Sequence, residues 1–293
     1  MADAPSFPFV SVIIPCRNDA ATLPEVLSAL ERQTYSHDRY EVLVVDNGST
    51  DGSSALVAKS NARLLVEPVP SAYVARNRAI VSAAGDYLLF LDADTIPCDE
   101  WIHEMVASAS MGQTGMAGGR IENRIDRDSL GSALLAMTHD PEKRRASVER
   151  DGRLSGGNMI VRKELFDRYG LFLPEQSGAD GEFSTRANPG RKPMPYAAKA
   201  VVTHICDIST MDYFRRAFRI ARGQARTTRD GKSIRAPVPW RPGFRRAAEI
   251  KQTVVSACGN RFGCFLASRL FLVLWIERWC FFFGATCGRM VKR

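Results

Sequence analysis

The first hundred residues alternate between short apolar runs typical of β-strands and amphipathic segments typical of α-helices. The first run, Phe9 to Pro15, is β-branched and ends at a proline, as expected for a buried strand. In the next segment apolar residues recur at the i, i+3, i+4, i+7 spacing of a helix, and Thr22 followed by Glu25 matches a capping box. Further strands are predicted over 42–46, 63–67 and 87–91. This βαβα order predicts an α/β fold with a mostly parallel sheet flanked by helices on both faces.

Polar residues follow the predicted strands, where ligands bind in an open parallel sheet. These residues include Arg17, Asp46 and the Asp92-Ala93-Asp94 tripeptide. Two carboxylates in one turn are costly unless water or a cation neutralises them. Their oxygens suit Mg²⁺ or Mn²⁺ shared with a substrate phosphate, although Asp92 as a helix cap and Asp94 as a solvated residue explain the pattern equally well. No G-x-G-x-x-G follows the first strand, and Arg226 stands where a P-loop ending at Ser233 would need its first glycine, so neither nucleotide-binding motif is supported.

The charge of the chain is divided unevenly. Residues 1–140 carry 10 basic and 19 acidic side chains, whereas residues 141–293 carry 30 basic and 13 acidic ones. This asymmetry predicts an acidic, metal-binding first half and a second half that meets an anionic partner. Ordinary fractions of hydrophobic and charged residues exclude a disordered or fibrous chain. Seven scattered cysteines without a C-x-x-C pair, and a start that lacks a signal-peptide pattern, predict reduced thiols and a cytoplasmic location.

Several short motifs follow one another over about two-thirds of the chain. They are Ser11-Val12-Ile13-Ile14-Pro15, Val44 to Asp51, Ala75-Arg76-Asn77, Ala84-Gly85-Asp86-Tyr87, Leu91-Asp92-Ala93-Asp94, Gly156-Gly157-Asn158-Met159 and Gly178 to Phe183. Each motif alone is common. Their combination, in this order and at this spacing, resembles the family 2 glycosyltransferases.

The resemblance implies a GT-A fold that binds a nucleoside diphosphate sugar with Mn²⁺ or Mg²⁺ and transfers the sugar, with inversion of configuration, to a hydroxyl acceptor. The glycosyltransferase domain would span 1–208, with a nucleotide-sugar-binding half over 9–115 and an acceptor half over 116–208. The residues that would hold the nucleotide sugar are Pro15, Arg17, Asn18, Asp46, Asn47, Arg76, Asp92 and Ala93. The metal ligands would be Asp94, Asp92 and His204. Many relatives have an aspartate where Asn47 stands, so the identity of the base stays open.

The same resemblance implies that Asp180 is the catalytic base. Glu182 and Arg186 match the rest of that motif and would position the acceptor or the sugar together with Gly157 and Asn158. Relatives often have glutamate where this chain has Ala179. On residue pattern alone, Asp180 reads as a helix N-cap, His204 as a histidine at a strand end, and the glycine turn as a plain loop.

Residues 209–293 are predicted to form a basic and apolar helical extension. Its arginines fall at helical spacing among aromatic residues, a pattern typical of a helix at an anionic membrane surface; they are Arg215, Arg216, Arg219, Arg222, Arg226 and Arg229. The apolar stretch 264–283 is interrupted by Arg269, Glu277 and Arg278, which favours an interfacial helix over a membrane span. Packing on the catalytic domain or on another subunit is the alternative. No nucleic-acid motif accompanies the arginines, so nucleic acid is not expected as a partner.

Together these observations predict a metal-dependent inverting glycosyltransferase, peripherally held at the membrane and extending a lipid-linked or polysaccharide acceptor. Asn47 and Ala179 differ from the residues that many family 2 glycosyltransferases have at these positions. This difference leaves open a second function, a catalytically degenerate nucleotide-sugar-binding scaffold that recruits a partner enzyme at the membrane. A nucleotidyltransferase is disfavoured, because the glycine-rich, lysine-containing loop that it needs after the first strand is missing.

Overall fold

The computed structural model describes residues 7–127, 129–138, 140–175 and 177–227, together with Ile276, Trp279, Phe283 and Cys287. The strands of this described part are β1 (Val10–Cys16), β2 (Tyr40–Asp46), β3 (Arg63–Val66), β4 (Tyr87–Leu91), β5 (Thr95–Pro97), β6 (Met116–Ile125), β7 (Asn158–Arg162) and β8 (Tyr196–Cys206). The helices are α1 (Leu23–Glu31), α2 (Ser53–Val57), α3 (Ala72–Ser82), α4 (Trp101–Met111), α5 (Leu130–Thr138), α6 (Pro141–Glu149), α7 (Glu164–Tyr169), α8 (Ala179–Ala187) and α9 (Thr210–Thr227).

The described strands form one mixed sheet in the order β3-β2-β1-β4-β7-β6-β8-β5. From β3 to β4 the pairs are parallel, as predicted. Beyond β4 the β4–β7, β6–β7 and β5–β8 pairs are antiparallel. The register sets Leu91, at the end of β4, beside Asn158, at the start of β7. The α/β class is confirmed, and the antiparallel pairing brings a distant part of the chain to the turn that carries Asp92 and Asp94.

The parallel strands form where the apolar pattern predicts them. Strand β4 is buried along its whole length, and β1 is nearly so. These strands pack with Leu23, Val26 and Leu30 of α1 in the main hydrophobic core, as the helical spacing requires. The predicted capping box is wrong, because the Thr22 side chain makes no cap hydrogen bond. Its hydroxyl instead donates to the backbone oxygen of Ala93 at 2.8 Å and ties the start of α1 to the Asp92–Asp94 turn.

Tertiary contacts divide the chain into two compact units. The first holds the described residues up to Glu122, with Pro141–Pro174 and Asp180–His204, and the second holds Asn123–Asp140, Glu175–Ala179 and the described residues from Ile205 onward. The predicted boundary at residue 208 stays a prediction.

Within the second unit, the apolar side of α9 packs against α5. Tyr213 is buried in a cluster with Ala133, Leu134 and Leu135, and Ala217 and Ala221, on the same helix face, are also buried. The exposed face carries Arg215, Arg219 and Arg222. Between Tyr213 and Ala221 this side of the helix is therefore covered by protein.

None of the described helices is long and apolar enough to cross a membrane. The predicted interfacial segment 264–283 lies outside the described residues, apart from Ile276, Trp279 and Phe283.

Candidate active site

Asp92 follows the buried strand β4 directly and forms an ion pair with Arg76 of α3. The distance from Arg76 Nη2 to Asp92 Oδ1 is 2.5 Å, and the arginine side chain is only 5% exposed. The guanidinium also lies over the ring of Tyr73, with Cζ 5.1 Å from the ring centroid. Its Nε is buried and makes no hydrogen bond. A buried arginine with one edge on Asp92 is thus held at the carboxyl end of β4.

Asp94 faces His204 across the β5–β8 pair. Thr95 is the register partner of His204, and this pairing brings His204 Nε2 within 3.4 Å of Asp94 Oδ2. The histidine is 5% exposed and the aspartate 34%. No group of three or more His, Cys, Asp or Glu side chains that could hold a metal ion is found among the described residues. A cation at Asp94 and His204 would therefore need oxygen ligands from a bound phosphate, which is how Mg²⁺ is usually held.

Asp19, which the sequence analysis missed, belongs to the same edge. Burial raises its pKa to about 6, the negative charges of Asp94 and Asp92 add to this rise, and a hydrogen bond from the Arg17 amide opposes it. Asp19 follows the end of β1, the strand adjacent to β4. The rule that polar residues gather at the carboxyl ends of parallel strands could have found it.

The loops that follow β1 and β2 are joined by hydrogen bonds. Asn18, with a φ of 60°, accepts a hydrogen bond from the Thr50 amide at 2.8 Å. Asp46 accepts from the Ser49 amide at 2.9 Å and from the Ser54 hydroxyl at 2.7 Å. The predicted nucleotide-binding residues Asn18 and Asp46 are therefore brought together in one pre-formed loop pair, beside the half-buried Pro15 and the exposed Arg17.

The buried Asn47 holds the loop that follows β3. Its amide nitrogen donates to the backbone oxygens of Glu67 and Val69, both at 2.7 Å. Both amide hydrogens are thereby used, and the predicted contact of Asn47 with a nucleotide base stays a prediction.

Asp180 of α8 lies against the turn that precedes β7. Its Oδ2 accepts a hydrogen bond from the Gly156 amide at 2.6 Å, and its Oδ1 accepts from the Gly181 amide at 2.9 Å. Burial raises the pKa of the Tyr73 hydroxyl, and the neighbouring Asp180 carboxylate raises it further. The carboxylate is thus held by backbone donors on one side and faces a protonated phenol on the other.

The glycine turn connects Asp180 to Asp92. A Cβ atom added to Gly156 would lie 3.2 Å from the Arg76 guanidinium, and one added to Gly157 would lie 2.8 Å from Asp92 Oδ2. Residues predicted from separate motifs therefore lie next to one another, with Asp180 bonded to the turn and Arg76 and Asp92 close beside it.

A family model described as glycosyl transferase family 2 matches residues 11–170, more than half of the chain. The chain belongs to glycosyl transferase family 2. Glycosyltransferase AglE of Haloferax volcanii is 29% identical over 226 residues, which cover 75% of this chain and 74% of that protein. A PGL/p-HBAD biosynthesis glycosyltransferase of Mycobacterium bovis is 38% identical over 93 residues, which cover 30% of this chain and 36% of that protein.

Solved structures resemble this glycosyltransferase over most of its length. Mannosyltransferase PcManGT from Pyrobaculum calidifontis, in complex with GDP-Man and Mn²⁺, has a TM-score of 0.60 at 21% identity and covers 97% of this chain and 86% of its own. S. aureus TarS in complex with UDP has a TM-score of 0.55 at 17% identity and covers 97% and 92%. At these identities the likeness shows the fold alone, and that fold is GT-A.

Three predicted acceptor-side residues of the glycosyltransferase make internal contacts. Asn158 is fully buried; its amide donates to the backbone oxygens of Arg120 and Ala200, and its oxygen accepts from Trp101 Nε1 at 2.9 Å. Glu182 pairs with Arg186 at 3.0 Å, and Arg186 also donates to the backbone oxygens of residues 169–171. These side chains hold the loops around the site, and their predicted contact with acceptor or sugar stays a prediction.

Arg144 of α6 is a second group that sequence reasoning missed. Burial lowers the pKa of its guanidinium to about 10, while the nearby Tyr196, Asp180 and Asp92 oppose that fall. It remains protonated at neutral pH and places a positive charge near both carboxylates. In the sequence it stands in the run Lys143-Arg144-Arg145, which looks like an ordinary solvated helix face.

Proposed function

We propose that this glycosyltransferase moves a sugar from a nucleoside diphosphate sugar to a hydroxyl acceptor with inversion of configuration, and that it depends on a divalent cation. The observation that carries the proposal is the contact of one glycine turn with both sides of the reaction. Gly156 donates to Asp180, while Gly157 lies against Asp92. A carboxylate that can take a proton and the groups suited to a diphosphate therefore adjoin the same turn.

Asp180 is suited to act as the general base. A base must lie within hydrogen-bond reach of the acceptor hydroxyl and be held in place before the reaction. The Gly156 and Gly181 amides each donate to one Asp180 oxygen, which fixes the plane of the carboxylate. The two amides and the facing Tyr73 hydroxyl use three of the four lone pairs of the carboxylate, and the fourth can accept the proton of the incoming alcohol. Attack from the Asp180 side, opposite the departing diphosphate, inverts the sugar.

Asp94 and His204 are the residues that would hold the cation, and a bound Mn²⁺ or Mg²⁺ would neutralise charge that develops on the departing diphosphate. The carboxylate oxygen of Asp94 suits either ion, whereas the imidazole nitrogen of His204 favours Mn²⁺ over the harder Mg²⁺. The nearby Asp92 is already paired with Arg76, so its freedom to bind the ion is smaller. PcManGT, which shares the fold, was solved with GDP-Man and Mn²⁺.

The proposal is tested by incubating the purified protein with a panel of nucleoside diphosphate sugars, Mn²⁺ and hydroxyl acceptors. Release of the nucleoside diphosphate and the anomeric configuration of the product, read by NMR, are measured. We expect release with one donor class, an inverted product and loss of activity in Asp94→Asn and Asp180→Asn. Asp99→Asn, an exposed carboxylate after β5, is the matched control. A retained anomeric configuration, or full activity of Asp94→Asn, contradicts the proposal.

We further propose that the glycosyltransferase meets an anionic membrane surface through the arginine face of α9, close to a lipid-linked acceptor. Because the apolar side of that helix packs on α5, the attraction is electrostatic and each arginine contributes about 1 kcal/mol. Sedimentation with vesicles of anionic lipid should show binding that weakens steeply as the salt concentration rises. Replacing Arg215, Arg219 and Arg222 by glutamine should weaken this binding as well. Equal binding to neutral vesicles contradicts this proposal.

A further inference from the structure

Arg144 makes an unusual number of contacts for a residue in a basic helix run. Its Nε donates to the Gly119 oxygen at 3.0 Å, its Nη2 donates to the backbone oxygens of Ser155 at 3.0 Å and Asn158 at 3.1 Å, and its Nη1 donates to the Ser155 hydroxyl. Every nitrogen of the guanidinium is used. An arginine can reach several fixed acceptors at once in this way, whereas a lysine ammonium of the same charge presents a single nitrogen.

Two of these acceptors, the backbone oxygens of Ser155 and Asn158, lie on either side of Gly156. Gly156, between Ser155 and Asn158, donates its amide hydrogen to Asp180 Oδ2. A glycine backbone is intrinsically mobile, and this turn has two glycines in succession. The side chain that spans it is therefore placed to hold the Gly156 amide in the direction of the carboxylate.

We propose that Arg144 is a positioning residue of the transfer reaction: by binding both ends of the Ser155–Asn158 turn, it aims the Gly156 amide at Asp180 and so orients the base. The importance of this orientation for catalysis rests on the proposed function. The hydrogen bond itself does not, so it can be tested separately.

The first test reads the Gly156 amide directly. Ser155-Gly156 and Ser177-Gly178 are the only Ser-Gly pairs in the sequence, so labelling serine carbonyls with ¹³C and glycine amides with ¹⁵N selects these two signals. In the Arg144→Gln and Arg144→Lys proteins, Gly156 should exchange its amide hydrogen about tenfold faster or more, the effect of losing a charge-assisted hydrogen bond. Gly178 should be unchanged. Arg145→Gln, which removes a neighbouring exposed arginine paired with Glu149, should leave both signals unchanged.

The second test separates positioning from general stability. Arg144→Lys should lower kcat on the order of a hundredfold, the cost of a small misplacement of a catalytic group, with an unchanged KM for the donor. In the Asp180→Asn background the same substitution should cost far less, because the residue through which it acts is already disabled. Unchanged Gly156 exchange in both Arg144 variants overturns the proposal. Faster Gly156 exchange with unchanged kcat also overturns the proposal. If the wild type transfers no sugar, the proposed function is wrong, and the exchange result alone then decides whether Arg144 holds the Gly156–Asp180 hydrogen bond.

Discussion

The parallel and antiparallel parts of the sheet present carboxylates in opposite ways. At the parallel edge, Asp19, Asp92 and Asp94 lie close enough for the negative charges of the other two to raise the pKa of Asp19. On the antiparallel side, Asp180 receives two backbone N–H groups and lies near the positive charge of Arg144. The parallel edge thus gathers three carboxylates, of which Asp92 is paired with Arg76, whereas the antiparallel side holds a single carboxylate fixed by backbone donors. Donor-side substitutions should therefore act through binding and charge, and acceptor-side substitutions through turnover.

The largest effect is expected at Asp180. Replacing Asp180 by asparagine removes the proposed proton acceptor and keeps the shape, so kcat should fall by about 10²–10⁴-fold while donor affinity stays unchanged. Steady-state kinetics and calorimetric titration of the donor measure the two quantities. Asp167→Asn, at an exposed position of α7, should behave as wild type. If Asp180→Asn lowers donor affinity as much as it lowers kcat, Asp180 does not act through turnover alone, and the contrast between the donor side and the acceptor side is wrong.

The next largest effect is expected at Asp94 and His204. In Mn²⁺, Asp94→Asn and His204→Gln should each weaken donor binding on the order of a hundredfold, because under the proposed function these residues would hold a cation that offsets the charge of the diphosphate. In EDTA the variants and the wild type should bind the donor equally weakly. Calorimetry under both conditions, with Asp99→Asn as the control, is the measurement. Equal weakening with and without metal would mean that these residues support the fold and hold no ion.

Asp19 should make stability depend on pH. Its pKa is about 6 in the folded protein against 3.8 for the ordinary side chain, so the folded state is penalised once the group ionises. Relative to wild type, Asp19→Asn should gain about 3 kcal/mol between pH 4 and pH 7, with no gain below the ordinary pKa, where both states are protonated. Urea unfolding in EDTA at the two pH values measures this gain, and Mn²⁺ should reduce it. A pH-independent difference would show that Asp19 carries no such penalty.

The smallest effect is expected at Ser54, which donates to Asp46. Burial alone would raise the pKa of Asp46, but hydrogen bonds from Ser49 and Ser54 hold it below its ordinary value. This stabilisation is present above the ordinary pKa and is lost as the pH falls through the folded value. Ser54→Ala should cost about 1 kcal/mol of unfolding free energy at neutral pH and less in acid. The exposed Ser28 provides the control, since Ser28→Ala should show no such dependence on pH.

The sequence allowed prediction of the parts of this site that depend on local patterns. The strands before Asp46 and Asp92 follow from apolar runs within a few residues. Arg144 could not be found in this way, because its contacts join α6 to β6 and to the turn before β7, and only the folded sheet sets those distances. The predicted capping box is wrong for the same reason, because the Thr22 hydroxyl donates to the backbone oxygen of Ala93, 71 residues away, and makes no local cap. Asp19 needed only the observation that β1 lies next to β4.

The absence of side chains at Gly156 and Gly157 has a mechanical consequence. A Cβ atom at Gly156 would lie 3.2 Å from the Arg76 guanidinium and one at Gly157 would lie 2.8 Å from Asp92 Oδ2, while the Gly156 amide donates to Asp180. Because no side chain fills this space, a shift of the turn would change the surroundings of Asp92 and of Asp180 at the same time. Under the proposed function, binding of an acceptor at Asp180 would then alter the donor side at Asp92 through the position of this turn.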